Sequence, residues 1–526
     1  MTLPAWSLPA ALGASIVLLA AWNLTLGVRL SSLPGAGRTL RTLAGLCAFL
    51  FIPSLVIGLL APSALGARVL GPLAWLWPAV TIVFVAQAWL AISGGRASLL
   101  IAAPLLLFDG LVAWVVVVRW IESVGGMLPP WALAPGMAIA TLVATVVGTA
   151  AFPWGTSLLI PALVPATPAR QRWTRAARTL LAAASSAAVI VTVLELPRAH
   201  EALESTRALD AGATDAAARG GLAIGISIFG VLSGSPPSTM ARQEKALADS
   251  IGVSALHVTL TSDGTGPLTL DSVARTLEPR TDSVALVVTL RRDGRGGADD
   301  ARSDEEIVRV VRRLRPHVFI PLRNALPGAA PMTRDAWESY YTRAAAAARR
   351  GDPLTRVALP TGAGMHLDSA LVDWVMRGAS PLGAVALTVE DYGASPARFV
   401  DALNALSRWA SMARALPDVW VVGIPSAPTI TGEVVQQRLV RHTLLWAAAR
   451  PWVRGVIAGD ANDVTTPSAL RTATGRARRA FGEIGTALRL QRDLPPAAAP
   501  VDSVSTPDTT ADTVRAIPDT LTRSRS

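Results

Sequence analysis

Six carboxylates sit where short apolar runs give way to polar ones: Asp263, Asp293, Glu390, Asp391, Asp460 and Asp463. Paired carboxylates do general acid–base work, one supplying a proton while the other accepts one or attacks. Asp293, Glu390 and Asp460 are therefore the candidate catalytic residues, with solvated loop acids as the plain alternative. Arg323 and Asn324 stand together at the end of another run. A guanidinium grips a carboxylate or phosphate through two parallel N–H donors, unless it is already paired with a neighbouring Asp. Tyr392 adds an aromatic platform, so Arg323, Asn324 and Tyr392 are the candidate substrate-binding residues. Metal and cofactor chemistry lacks its usual signatures. His200, His257, His317, His366 and His442 are isolated, Cys47 is the single cysteine, and neither a His-Glu-x-x-His nor a Gly-x-x-x-x-Gly-Lys pattern occurs. No metal and no cofactor is expected, and His257 and His317 read as strand residues satisfied in place.

The elements that must position these groups follow a regular alternation. Strand candidates are Ala223 to Ile228, Leu256 to Leu260, Val284 to Leu290, His317 to Pro321, Arg356 to Leu359, Val385 to Thr388, Val419 to Val422 and Gly455 to Ala458. Each is followed by a helical stretch; in Glu305 to Leu314, for example, Ile307, Val308, Val310, Val311 and Leu314 share one face against Arg309, Arg312 and Arg313. Eight such units over residues 221–491 predict a (β/α)8 barrel, with a doubly wound open sheet as the alternative. In a barrel, these six carboxylates fall at the C-terminal strand ends.

The first part of the chain differs sharply. Through residue 169 the charged side chains are Arg29, Arg38, Arg41, Arg68, Arg96, Asp109, Arg119 and Glu122. A bilayer core needs about 20 consecutive apolar residues per helix. Spans are predicted near Leu8 to Val28, Leu43 to Leu60, Val69 to Ser93, Leu99 to Val118, Trp131 to Ala151 and Ala177 to Leu196, with Phe152 to Val164 as an interfacial or re-entrant segment. The domain reading is a six-span transmembrane helical domain over 1–196, a connector over 197–220, the barrel over 221–491 and a disordered Pro/Ala/Ser/Thr tail over 492–526. The arginines of the odd loops place those loops in the cytoplasm, so the barrel is expected outside, at the cell (inner) membrane. Asp109 is the one carboxylate in mid-span, a functional candidate by its cost or a hydrogen-bonded packing residue. The net charge of +11 lies mostly before Arg178, which leaves the rest nearly neutral and argues against a nucleic-acid partner.

The barrel pattern, Asn324, Tyr392 and the expected outside location resemble the TIM-barrel glycoside hydrolases, in particular the clan with an Asn-Glu pair after strand 4 and a second Glu after strand 7. The resemblance covers roughly Gly220 to Leu490. It implies a sugar site at the barrel mouth, yet Ala325 stands where the acid/base Glu belongs, and Gly423 to Pro425 carry no carboxylate. Glycoside hydrolysis needs two carboxyl groups across the bond. The expected function is therefore a membrane protein whose degenerate barrel binds an envelope polysaccharide or scaffolds a membrane assembly. The alternatives are an active glycosidase using other strand-end carboxylates and a structural subunit of a membrane protein complex. Expected partners are the lipid bilayer, an envelope polysaccharide and membrane proteins.

Overall fold

The structure of the protein is a computed structural model. It describes residues 7–32, 37–60, 76–93, 161–165, 175–213, 219–228, 239–262, 267–278, 284–293, 300–324, 333–362, 369–388, 396–414, 416–424, 432–461, 469–472 and 475–493, with scattered positions between 102 and 137 and at 217, 426 and 428.

The helices described along their length before the first strand are α1 (Ser7–Ser32), α2 (Arg38–Leu60), α3 (Leu76–Ser93) and α4 (Arg175–Ala211), with further helical positions between 102 and 137. Then strands and helices alternate: β1 (Ala223–Ser227), α5 (Thr239–Ile251), β2 (Ala255–Thr261), α6 (Pro267–Leu277), β3 (Ala285–Asp293), α7 (Asp300–Leu314), β4 (Val318–Asn324) and α8 (Arg334–Gly351). The series continues with β5 (Arg356–Gly362), α9 (Ser369–Met376), β6 (Ala384–Thr388), α10 (Pro396–Met412), β7 (Asp418–Val422), α11 (Glu433–Ala448), β8 (Val453–Asp460) and α12 (Arg479–Asp493). The strands close into a barrel in chain order, β1 through β8, and every pairing is parallel.

Two phases of side chains make the barrel. One phase, including Ile224, Leu256, Val258, Leu286 and Val385, packs outward beneath helices such as α7, whose Ile307, Val310, Val311 and Leu314 are buried. In α7 the arginines of the last turn, Arg312 and Arg313, also suit the negative helix end. The other phase points inward and is dominated by small residues: Ala255, Ala358, Ala384 and Ala386 surround Trp420. The indole of Trp420 fills the interior so fully that a Cβ at Gly455 would run into its ring. At the N-terminal end of the barrel, Asp418 pairs with Arg356 and with Arg454, whose Nε donates at 2.9 Å.

The expected six-span bundle followed by a separate barrel is not what the structure holds. Among the described residues no helix is long and apolar enough to cross a membrane. Scarcity of charge over residues 1–169 reports composition, and composition does not measure continuous helix. Within the predicted span from Leu43 to Leu60, α2 carries Pro53. The stretch from Ala177 to Leu196 is only the first part of α4, which runs on through much of the expected connector and packs on the barrel's own helices. There Arg198 holds Asp401 through Nε at 3.0 Å and through a second nitrogen at 2.6 Å. Arg408 donates to Glu201 at 3.0 Å, and Asn404 to Ser205 at 2.9 Å. Bundle and barrel therefore share an element instead of following one another.

Polar residues inside the apolar helices have a local use. Residues 161–165 run without helix or strand, and a buried backbone of that kind must find partners for its N–H and C=O groups. Asn23 donates to the Pro161 carbonyl at 3.0 Å and accepts from the Leu163 N–H at 2.8 Å. Gln87 donates to the Val164 carbonyl at 3.0 Å and accepts from its N–H at 3.2 Å. Asp109 accepts from the Ala162 N–H at 2.7 Å, and the Trp22 indole N–H donates to the Leu163 carbonyl at 3.1 Å. Side-chain amides thus replace the strand that would otherwise pair with this segment.

Candidate functional site

The strand register identifies which residues share the interior. Ser227 pairs with His257 on one side and Asp460 on the other. Thr259 pairs with Thr289, and Thr261 with Arg291. Arg291 pairs in turn with Leu322, and Asp293 with Asn324. Near the N-terminal end the inward residues Ala255, Val287, Val318 and Ala384 are fully buried. Toward the C-terminal end the same phase becomes half-buried at Thr259, Thr261, Arg291, Leu322, Pro360, Thr388 and Asp460. The described inward residues are therefore less deeply buried at the face where barrels of this architecture carry their sites.

Its floor is a hydrogen-bonded ladder across three strands. The His257 imidazole meets the Ser227 hydroxyl at 3.1 Å through Nδ1 and the Thr289 hydroxyl at 2.9 Å through Nε2. Burial pushes the imidazole down to about 4, against a smaller upward pull from the Asp460 carboxylate. His257 is consequently uncharged at neutral pH, with one ring nitrogen donating and the other accepting. Hydroxyls suit this arrangement because each can take either role. Behind the rim, Ser262 just past β2 donates to both carboxylate oxygens of the buried Glu306 on α7, at 3.0 and 3.1 Å. This contact ties the end of β2 to the following helix layer. At the end of β7 the chain turns at Gly423, whose φ of 90° favours glycine, and Ile424 is buried.

The sequence-based candidates land unevenly. Asp460 ends β8 at the half-buried rim, beside Ser227 in register. Asp293 and Asn324 are the last paired step of β3 and β4, and Arg323 pairs with Arg292 one step earlier. Glu390 and Tyr392 lie outside the described residues, as do Asp263, Asp391 and Asp463. Asp109 is fully buried and accepts from the Ala162 N–H. The reading of His257 as a strand residue satisfied inside the barrel holds. Sequence reasoning passed over Arg291, Ser227, Thr289, Thr259 and Thr388, although counting alternate residues back from Asp293 would have put Arg291 and Thr289 on the inner face. Among the described residues no group of three His, Cys, Asp or Glu side chains is placed to hold a metal ion. What this end of the barrel offers chemically is the hydroxyls of Thr259, Thr261 and Thr388, the Arg291 guanidinium and the Asp460 carboxylate, above an uncharged imidazole whose two ring nitrogens are already bonded to Ser227 and Thr289.

No protein-family model matches the chain, and no curated protein matches it. Solved structures that resemble it include a GH5_18 protein from Streptomyces cattleya in complex with Manb1-4GlcNAc, at 15% identity over 53% of this chain and 83% of that one, with a TM-score of 0.41. Xylanase 10B from Thermotoga petrophila, in complex with xylobiose, is similar at 10% identity over 51% and 94% of the two chains, with a TM-score of 0.36. Beta-glucuronidase 3 from Bacteroides uniformis shares 11% identity over 50% of this chain and 37% of its own, with a TM-score of 0.34. Likenesses this distant carry no argument about substrate or reaction, and what stands on the chain's own geometry is a closed eight-stranded parallel barrel whose described inward residues turn polar toward the C-terminal strand ends.

Proposed function

We propose that the barrel binds a polysaccharide at its C-terminal mouth and that it lacks the carboxylate pair of the hydrolases it resembles. One observation carries the reading: the inward phase ends in hydroxyls and a guanidinium above an uncharged imidazole floor. The threonine hydroxyls can hydrogen-bond the hydroxyls of a sugar without the desolvation cost of a buried charge, and the half-buried Arg291 guanidinium adds donors. The end of β4 is followed by Ala325, and the β7 end carries Gly423 to Pro425, so neither position supplies an acid. Binding without turnover follows, because hydrolysis needs two carboxyl groups flanking the bond.

The test is a glycan array probed with the full-length protein, together with an assay for new reducing ends. Wild type is expected to bind at least one polysaccharide, Arg291→Ala to bind it at least tenfold more weakly, and neither to release reducing ends. No binding across the array would overturn the reading. A second reading has one observation in its favour, since Asp460 and Asp293 both stand at the C-terminal ends of their strands, in register with Ser227 and Asn324. Release of reducing ends that disappears in Asp460→Asn would establish that glycosidase in its place.

A further inference from the structure

The helices before the barrel turn apolar side chains to the outside as well as to one another. On α1, Leu18 and Trp22 are exposed, opposite the buried Asn23 and Leu30. On α2 the exposed positions include Phe49, at 77%, and Ile52, opposite the buried Ala44, Cys47 and Phe51. Trp89 on α3 and Leu194 on α4 are 63% and 72% exposed. In each helix the exposed and the buried set recur with the helical period, so these are faces and not frayed ends. A helix that is apolar all round is ordinarily covered all round, and exposed apolar surface on this scale marks an interaction site.

The charge pattern identifies the cover. No Asp or Glu precedes Asp109 in the sequence. Arg29 at the end of α1 and Arg38 and Arg41 at the start of α2 are all exposed, which puts three cations at one border of the apolar surface. The polar groups of the interior, Asn23, Gln87 and Asp109, are turned inward onto residues 161–164. They leave the outer faces without hydrogen-bonding demands. On α1 to α3 this acid-free apolar surface, with exposed tryptophans and a basic border, complements acyl chains and anionic headgroups. We propose that this surface docks on a lipid bilayer, its apolar faces against the acyl region and Arg29, Arg38 and Arg41 against anionic headgroups, with no helix required to cross. This inference is independent of what the barrel mouth binds.

Vesicle flotation of the full-length protein tests it, using phosphatidylcholine vesicles and vesicles of phosphatidylcholine mixed with phosphatidylglycerol. Wild type is expected to float with both and to prefer the anionic ones. Replacing Arg29, Arg38 and Arg41 by Gln should remove that preference, by about fivefold for each arginine, and leave binding to phosphatidylcholine alone unchanged. Leu18→Gln combined with Phe49→Gln should weaken binding to both vesicles by tenfold or more, while the circular dichroism melt stays that of wild type. Both sites are exposed, so the fold is not at risk. Wild type that stays at the bottom of the gradient and sediments as an oligomer, with dissociation on Phe49→Gln, would overturn the proposal in favour of a second copy of the chain. Flotation unaffected by the Leu18 and Phe49 changes would overturn it as well.

Discussion

The floor of the barrel mouth should make stability depend on pH in a way that a single side chain explains. In the folded protein His257 is held at about 4 against an ordinary value of 6.5. Between those values the unfolded chain binds a proton at this position and the folded chain does not. Stability contributed by the neutral imidazole is therefore complete above pH 6.5 and is lost as pH falls through about 4. At ~1.36 kcal/mol for each tenfold change, the full loss is about 3 kcal/mol. The perturbation is His257→Gln, which retains a donor and an acceptor for Ser227 and Thr289 but does not titrate. Urea unfolding followed by circular dichroism at intervals from pH 4 to pH 8 reads the effect. Wild type should lose about 3 kcal/mol on acidification relative to the variant, whose curve should lie lower near neutrality and be flatter between pH 6.5 and pH 4. Parallel curves for the two proteins would refute the burial argument, because they would mean that the imidazole takes up its proton equally well in both states.

Further changes probe other joints of the fold. The Asp210 carboxyl is lowered from 3.8 to about 2, since burial, which pushes it up, is outweighed by hydrogen bonds from His442 and Arg438 and by the Arg438 charge. Its contribution is present above pH 3.8 and lost as pH falls through about 2, so after allowance for solvent screening Asp210→Asn should cost about 1–2 kcal/mol at neutral pH and nothing near pH 2 in urea melts. Gly455→Ala should destabilise the barrel by about 1–3 kcal/mol, because its Cβ meets the Trp420 ring. Trp420→Ala empties the same space and should cost about 3–5 kcal/mol by the same measurement. Asp401→Asn removes the carboxylate that Arg198 grips; a loss of about 1.5–3 kcal/mol should register as faster amide exchange in residues 198–211.

Eight strands were legible because parallel strands buried on both faces read as short apolar runs, and the helices between them carry a clear 3.6-residue period. The C-terminal ends of those strands were less legible. β3 runs on through Arg291 and Arg292 to Asp293, β4 through Arg323 to Asn324 and β5 to Gly362. Polar side chains at the mouth look like loop to a hydropathy reading, although the backbone still pairs, and for that reason Arg291 was passed over as part of a turn. Of the site candidates, Asp460 pairs with Ser227, Asp293 with Asn324, and Arg323 with Arg292. The helices before the barrel misled in the opposite direction. Low charge suggested continuous spans, but the polar residues among them, Asn23, Gln87 and Asp109, were the informative ones, because they hold residues 161–164.

Helix α4 shows why the two parts of the chain cannot be assigned separate roles by sequence position. Its first part ends in exposed apolar side chains at Val193 and Leu194, and Pro197 follows within the same helix. Past the proline the character changes within one turn. Arg198, Glu201, Ser205 and Asp210 each meet a polar partner on α10 or α11. His442 on α11 is fully buried and bonds Asp210 at 2.7 Å. An apolar contact tolerates sliding, whereas polar bonds spaced along a helix fix both rotation and register. The barrel is thus held at a set angle to the apolar helices. Whatever covers those helices also sets the direction in which the barrel mouth faces.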